Sequence, residues 1–203
     1  MPRSFDGIML DQQPKPIDVL APYAIACRSL REIAGAVDVE ETGSTFTENA
    51  ALKARLQAQA LRCWVLAEDS GLVVPALDGA PGVYSARFSG PPAVDDDRGV
   101  DARNNALLLE RLRGGDRAAH YACHAALADP SGRVVAVAEG VCWGTIAEAG
   151  SGAGGFGYDP LFIVPEYHRT FGELAPAVKA LISHRGRALR AIIPALVQHL
   201  GPT

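Results

Sequence analysis

The chain has 203 residues, 48% of them hydrophobic and 21% charged, which is enough apolar material for a folded core and excludes a disordered chain. The net charge of −4, from 19 basic and 23 acidic residues, argues against a nucleic-acid polymer as partner but leaves room for a locally basic nucleotide pocket. The cysteines, Cys27, Cys63, Cys123 and Cys142, show no Cys-x-x-Cys spacing, and no apolar run approaches the roughly 18–20 residues of a membrane span, so the expectation is a cytoplasmic protein without disulfides.

Residues 1–16 carry little pattern, and Pro14 and Pro16 around Lys15 interrupt any helix there. Residues 17–26 suit a short helix or a strand equally. From Thr45 the pattern is strong. Thr45-Phe46-Thr47-Glu48 fits a capping box, and good helix formers then run to about Arg62 with Ala50, Ala54, Ala58 and Leu61 on a packing face. Cys63 to Ala67 reads as a short buried strand that ends in Glu68-Asp69-Ser70-Gly71, and Pro75 to Gly90 is rich in turn signals.

Asp101 to Leu112 reads as a helix stopped by Gly114-Gly115. Ala119 to Leu127 and Val134 to Val141 read as strands joined by a hairpin turn at Asp129-Pro130-Ser131-Gly132. Glu148 to Gly157 is a glycine-rich loop. Residues 184–200 read as an amphipathic helix with Leu189, Ile192, Ile193, Leu196 and Leu200 on one stripe and a kink or break at Pro194. Helices mixed with paired strands indicate an α/β or α+β fold.

Asp69 falls where a strand is expected to give way to a glycine loop, a common seat for a reactive carboxylate. Converging carboxylates can hold Mg²⁺, a hard cation that also binds phosphates. Each of the three candidates has an alternative: Glu48 completes the capping box, Glu68 is solvated, Asp69 caps a turn. Glu68 and Asp69, being neighbours on an extended strand, need not act together. Lys53 shares a helix face with Asn49 and is otherwise an ordinary solvated lysine, while Ser70 and Gly71 offer only a weak phosphate-binding signal.

In Gly154-Gly155-Phe156-Gly157-Tyr158-Asp159-Pro160 the glycines let the backbone approach a flat ring on which Phe156 can stack, and Asp159 can accept from ring N–H groups. The alternative is a plain turn with an aromatic anchor. Ser183 suits an N-cap for the last helix. His184 and Arg185 then put cations in the first turn, against the macrodipole, which hints at a ligand unless both bend into solvent. Arg185, a donor only, matches a 6-keto purine and not a 6-amino one. His120 and His124 lack partners for a zinc set.

Taken together, four stretches resemble one family. They are Glu41 to Ala54, Glu68 to Leu72 followed by Gly79 to Arg87, Gly155 to Phe162, and Ser183 to Ala188. In order and spacing they are similar to the inosine/xanthosine triphosphate pyrophosphatases over roughly residues 38–200, and four ordered motifs are far more specific than one. The resemblance implies an α/β fold with a mixed, elongated central sheet, flanking helices and two lobes around an active-site cleft. It implies one bilobed domain over 1–203, divergent in 1–37. It also implies a homodimer, Mg²⁺, and hydrolysis of ITP, dITP and XTP to the monophosphate and pyrophosphate.

Position by position, the resemblance gives Glu48, Glu68 and Asp69 to the metal and Asp69 to the attacking water. Lys53, Ser70, Gly71 and Lys15 go to the phosphates. Phe156, Gly157, Tyr158, Asp159, Lys179, Ser183, His184 and Arg185 go to the base. The N-terminus departs from the family: where a Ser/Thr-x-Asn-x-x-Lys loop is usual, Ile8-Met9-Leu10 is followed by Asp11-Gln12-Gln13-Pro14-Lys15. Three readings follow: an active pyrophosphatase with a rebuilt phosphate loop, a nucleotide-binding or regulatory homologue without catalysis, and a pyrophosphatase with a shifted substrate.

Overall fold

The computed structural model describes residues 8–10, 20–23, 25–30, 33–92 and 96–201. Among them are seven strands: β1 (Ile8–Leu10), β2 (Cys27–Ser29), β3 (Trp64–Val73), β4 (Ala118–Ala128), β5 (Val134–Ile146), β6 (Phe162–Val164) and β7 (Arg169–Thr170). The longer helices are α1 (Phe46–Leu61), α2 (Val100–Arg111), α3 (Pro176–Ile182) and α4 (His184–Leu200). The strands form one sheet in the order β2-β1-β3-β4-β5-β6-β7. It is mixed: β1 runs parallel to β2 and β3, with Ile8 paired to both Cys27 and Trp64, whereas β6 is antiparallel to β5 and β7. The expected mixed sheet with flanking helices is therefore what the chain builds.

The chain divides into two compact units, residues 1–69, 123–140 and 184–203, and residues 70–122 and 141–183. In the first unit the twofold alternation of the strands sorts the core into two layers. Val65 and Ala67 of β3 pack with Ala126 and Ala128 of β4 against Ala50, Ala54 and Ala58 of α1. Leu66 packs with Cys123, Ala125 and Leu127 against Leu189, Ile192, Ile193 and Leu196 of α4. Thus α1 covers one face and α4 the other. Gly140 lies under α4, where a Cβ would stand 2.2 Å from both Ala188 N and His184 O, so a side chain there would push the helix away.

In the second unit Leu108 and Leu112 of α2 close over Leu72, Cys142, Ile146 and Phe162. The ring of Tyr121 packs at a tilt against those of Phe162 and Phe171 at centroid distances of 4.7 and 5.9 Å, a geometry that adds to the burial itself.

The predicted helix from Thr45 is found with its full capping box. Thr45 accepts from Glu48 N, the Glu48 carboxylate accepts from the backbone of Thr45, and Arg62 ends the helix in the left-handed region. The stripe on the last helix is also found, and Leu200 sits at the edge of its core.

One expectation is corrected and one is narrowed. The strand from Cys63 does not end at the acidic pair: β3 continues through Glu68, Asp69, Ser70 and Gly71 to Val73, well past the Trp64–Leu66 stretch that pairs with β1. The last helix runs through Pro194 without a break. Pro194 and Arg190 both lie on the exposed side of the helix, where a proline is best tolerated. Helix α3, with Pro176 in its first turn, was not anticipated, although proline is favoured at that position.

Candidate functional site

Two clusters carry the residues singled out in the sequence, one in each unit.

The first is built on α1 and β3. Asn49, Lys53 and Gln57 are spaced four apart, lie on one face of α1 and are all buried. They bind the preceding segment along the helix. Gln57 exchanges hydrogen bonds with both the N–H (3.1 Å) and the C=O (2.6 Å) of Val37, Lys53 pairs with Glu41 at 2.8 Å, and Asn49 Oδ1 accepts from Gly43 N at 2.7 Å. The remaining donors turn to β3. Asn49 Nδ2 donates to Asp69 Oδ2 at 3.1 Å, and Lys53 Nζ lies 3.4 Å from Asp69 Oδ1.

Lys53, which by spacing alone reads as solvated, is instead buried with two carboxylates. Burial pushes the Asp69 carboxyl above its ordinary value, with Lys53 opposing the shift and Glu41 adding to it. Glu41 is a member of this centre that no local pattern marks; the signal was the polar stripe Asn49-Lys53-Gln57 on an otherwise alanine face, which needs partners once buried.

Glu48 stands exposed at the helix start. Its Oε2 accepts from the Ser44 hydroxyl (2.8 Å), Ser44 N (2.7 Å) and Thr45 N (3.2 Å), and these bonds, the hydroxyl's first, hold its carboxyl below the usual range. Glu68 faces the other side of β3. Its Oε1 is 2.7 Å from Arg185 Nε, and its Oε2 accepts from the Cys123 thiol at 3.0 Å. Burial first, and then the Glu68 charge, push that thiol well up, so Cys123 is a hydrogen-bond donor and not a thiolate. His184, next to Arg185, is buried in the first turn of α4.

Among the described residues no group of three or more His, Cys, Asp or Glu is arranged to hold a metal ion. The chemistry still fits Mg²⁺. The donors are hard carboxylate oxygens, two of them, on Glu41 and Asp69, converge on one ammonium, and Mg²⁺ commonly uses one or two carboxylates plus substrate phosphates and water.

The second cluster is the loop at 154–159. Gly155 has φ +82°, and a Cβ there would lie 1.9 Å from Asp159 Oδ2. That closeness lets the Asp159 carboxylate accept from Phe156 N at 2.8 Å and pair with Lys179. Lys179 Nζ also lies 4.9 Å from the centre of the Phe156 ring. Phe156 is 57% exposed while Asp159 is 1% exposed, so the ring faces outward on a buried ionic mount. Tyr158 is buried, donates to Ser85 O at 2.8 Å, and has its hydroxyl pKa raised by burial. Ser183 closes α3 with extended backbone and precedes α4, which agrees with a capping position.

Ser70 and Gly71 lie inside β3, not in a loop. The His120 ring lies tilted against Trp143 at 4.3 Å, and His124 bonds Thr47 at 2.8 Å and faces Glu139 at 3.5 Å, so among the described residues neither belongs to a zinc set. Lys15 and the loop around it lie outside the described residues.

A mixed-sheet α/β protein with a buried carboxylate–ammonium centre on a capped helix and an outward-facing aromatic on a glycine loop is the class that these features define. The model of the Ham1 family matches residues 15–195, and the chain belongs to that family. It is 52% identical over 183 residues to a dITP/XTP pyrophosphatase of Rhodopirellula baltica, covering 89% of this chain and 85% of that protein. It is 51% identical over 175 residues to one of an Exiguobacterium species, covering 86% of each. The solved HAM1 protein of Coxiella burnetii shares the fold with a TM-score of 0.83 at 38% identity, over 95% of this chain and 98% of that one.

Proposed function

We propose that this chain hydrolyses non-standard purine nucleoside triphosphates, dITP, ITP and XTP, to the monophosphate and pyrophosphate. The observation that carries the reading is Asp69: a buried carboxylate with a raised pKa, fixed by Asn49 and Lys53, in a chain about half identical to proteins named for dITP and XTP. A carboxylate tuned upward is suited to general-base work near neutral pH.

In this reading Asp69 takes a proton from water as the water oxygen bonds to the α-phosphorus, and the bridging bond to the β-phosphate breaks to release pyrophosphate. Lys53 meets the phosphate charge, with Ser70, Gly71 and Lys15 as the further phosphate contacts. Mg²⁺ would supply charge neutralisation at the phosphates, held by Asp69 with Glu41, which shares its Lys53, and with Glu48 at the helix start, while Glu68, on the opposite face of β3, would act through Arg185. Phe156 offers its exposed face to the purine, and Gly157, Tyr158, Asp159, Lys179, Ser183 and His184 shape that subsite. Arg185 donates to the 6-keto oxygen. The working form is a homodimer of bilobed chains in the cytoplasm, each chain one functional domain.

The test is pyrophosphate release from dITP, ITP, XTP and ATP, with and without Mg²⁺. Mg²⁺-dependent release from dITP and XTP well above that from ATP is expected. Absence of release from all four by folded protein overturns the reading in favour of a nucleotide-binding homologue.

A further inference from the structure

Helix α2 begins with a run of polar residues, Asp101, Asn104 and Asn105, that its role as a core helix does not require. Spacings of three and four put them on one face. All three are spent on backbone groups outside their own helix. Asp101 Oδ2 accepts from Gly157 N at 2.7 Å, and Asn105 Nδ2 donates to Gly157 O at 3.0 Å. Asn104, 1% exposed, accepts from Ser89 N at 2.8 Å and donates to Ser85 O and Ala86 O at 3.2 and 3.3 Å. Ser85 O also accepts from Tyr158.

Gly157 is therefore gripped on both sides of its residue, N–H by one side chain and C=O by the next turn of the same helix. Gly157 has φ +60° and no neighbour within 4 Å of a notional Cβ, so these two bonds, and not side-chain packing on the glycine itself, fix its peptide groups against α2. Its neighbour is the exposed Phe156. The Asn105 grip also carries a cost: its Oδ1 is buried and has no hydrogen-bond partner among the described residues. A buried acceptor left unmade is destabilising and offsets part of what the bond to Gly157 contributes.

We propose that Asp101 and Asn105 are positioning residues for nucleotide recognition: by clamping the Gly157 peptide groups they fix the plane in which Phe156 presents its ring to the purine. The inference rests on the assignment of Phe156 to the base. It adds residues from a separate element, α2, that touch no substrate and act through the loop.

The clamp has a readout that does not depend on turnover. Hydrogen exchange at the Gly157 amide should speed up at least tenfold in Asp101→Ala and much less in Asp101→Asn, which keeps an acceptor oxygen. Affinity is read by calorimetry with inosine monophosphate, which carries the base, and with tripolyphosphate, which does not. About a tenfold loss for the monophosphate in Asp101→Ala and Asn105→Ala, with tripolyphosphate affinity unchanged, is expected for a lost orienting contact. Asn105→Asp, which sets a carboxylate against a carbonyl, should match or exceed Asn105→Ala. Unchanged exchange at Gly157 overturns the clamp. Faster exchange with unchanged monophosphate affinity, or an equal loss for both ligands, overturns the positioning role. Failure of the wild type to hydrolyse any triphosphate would overturn the proposed reaction and leave these binding measurements to decide the clamp on their own.

Discussion

Glu68 and Asp69 are adjacent in the chain and serve opposite faces of β3, Asp69 toward Asn49 and Lys53 of α1, Glu68 toward Cys123 and Arg185. The alternation of a strand makes this unavoidable. Their substitutions should therefore differ in kind. Asp69→Asn removes the proposed base and should lower turnover about 10²–10⁴-fold, the usual worth of a positioned acid or base. Glu68→Gln should leave the base in place and act through Arg185, raising KM for 6-keto nucleotides more than it lowers kcat. Steady-state kinetics with dITP checks both; equal loss of kcat in the two variants would contradict the division.

Asp69 also sets a stability dependence. Its folded-state carboxyl lies above the ordinary value of 3.8 because burial disfavours the charge. Between the ordinary and the raised value the folded chain binds more protons than the unfolded chain, so stability falls as pH rises through that window and stays lower above it. Asp69→Asn should erase this slope and raise Tm near neutral pH, since Lys53 keeps Glu41 as a partner. Thermal unfolding of both proteins from pH 3.8 upward checks the sign.

Lys53 holds two carboxylates with a side chain only 8% exposed. Lys53→Met would leave Asp69 and Glu41 without their cation, and breaking a buried pair from one side costs about 3–5 kcal/mol. Denaturant unfolding should show that loss near neutral pH and a smaller one at acid pH, where the carboxylates are neutral. Turnover should fall as well.

The first long helix and the last were legible because capping and 3.6-residue periodicity are local. The Thr45–Glu48 box and the stripe from Leu189 to Leu196 needed no knowledge of the rest of the chain. The extent of β3 was not legible: Glu68-Asp69-Ser70-Gly71 has the composition of a turn, and only the tertiary pairing of the sheet makes it strand. Lys53 and Glu41 were hidden for a related reason. Twelve positions apart, they meet only because the segment before α1 folds back along it. Asp159 was legible as a hydrogen-bond acceptor, but its partners are Phe156 N and Lys179, which position the ring.

Gly140 tests how closely α4 must sit on the sheet. Two backbone atoms of that helix lie 2.2 Å from where a Cβ would be, and backbone cannot rotate away as a side chain can. Gly140→Ala should cost about 1–3 kcal/mol, the range for overpacking, as read by denaturant unfolding. It should also move the first turn of α4 and, with it, Arg185. A loss of selectivity for 6-keto over 6-amino nucleotides greater than any loss of kcat is the expected signature.

Gly155 tests the mount under Phe156. At φ +82° an alanine is strained, by about 1–2 kcal/mol for a left-handed residue. Its Cβ would also fall 1.9 Å from Asp159 Oδ2, the oxygen that accepts from Phe156 N and pairs with Lys179. Relief of the clash requires the carboxylate to move, and both partners then lose their acceptor. Lys179, half-buried against Phe156 and Phe171, would keep only the ring faces, which hold a cation less well than a carboxylate does. Gly155→Ala should therefore weaken inosine monophosphate binding about tenfold, the scale of a lost charge-assisted hydrogen bond, and leave tripolyphosphate binding as it is. Calorimetry with the two ligands checks it, and an equal loss for both would mean that the loop supports the whole pocket and not the base alone.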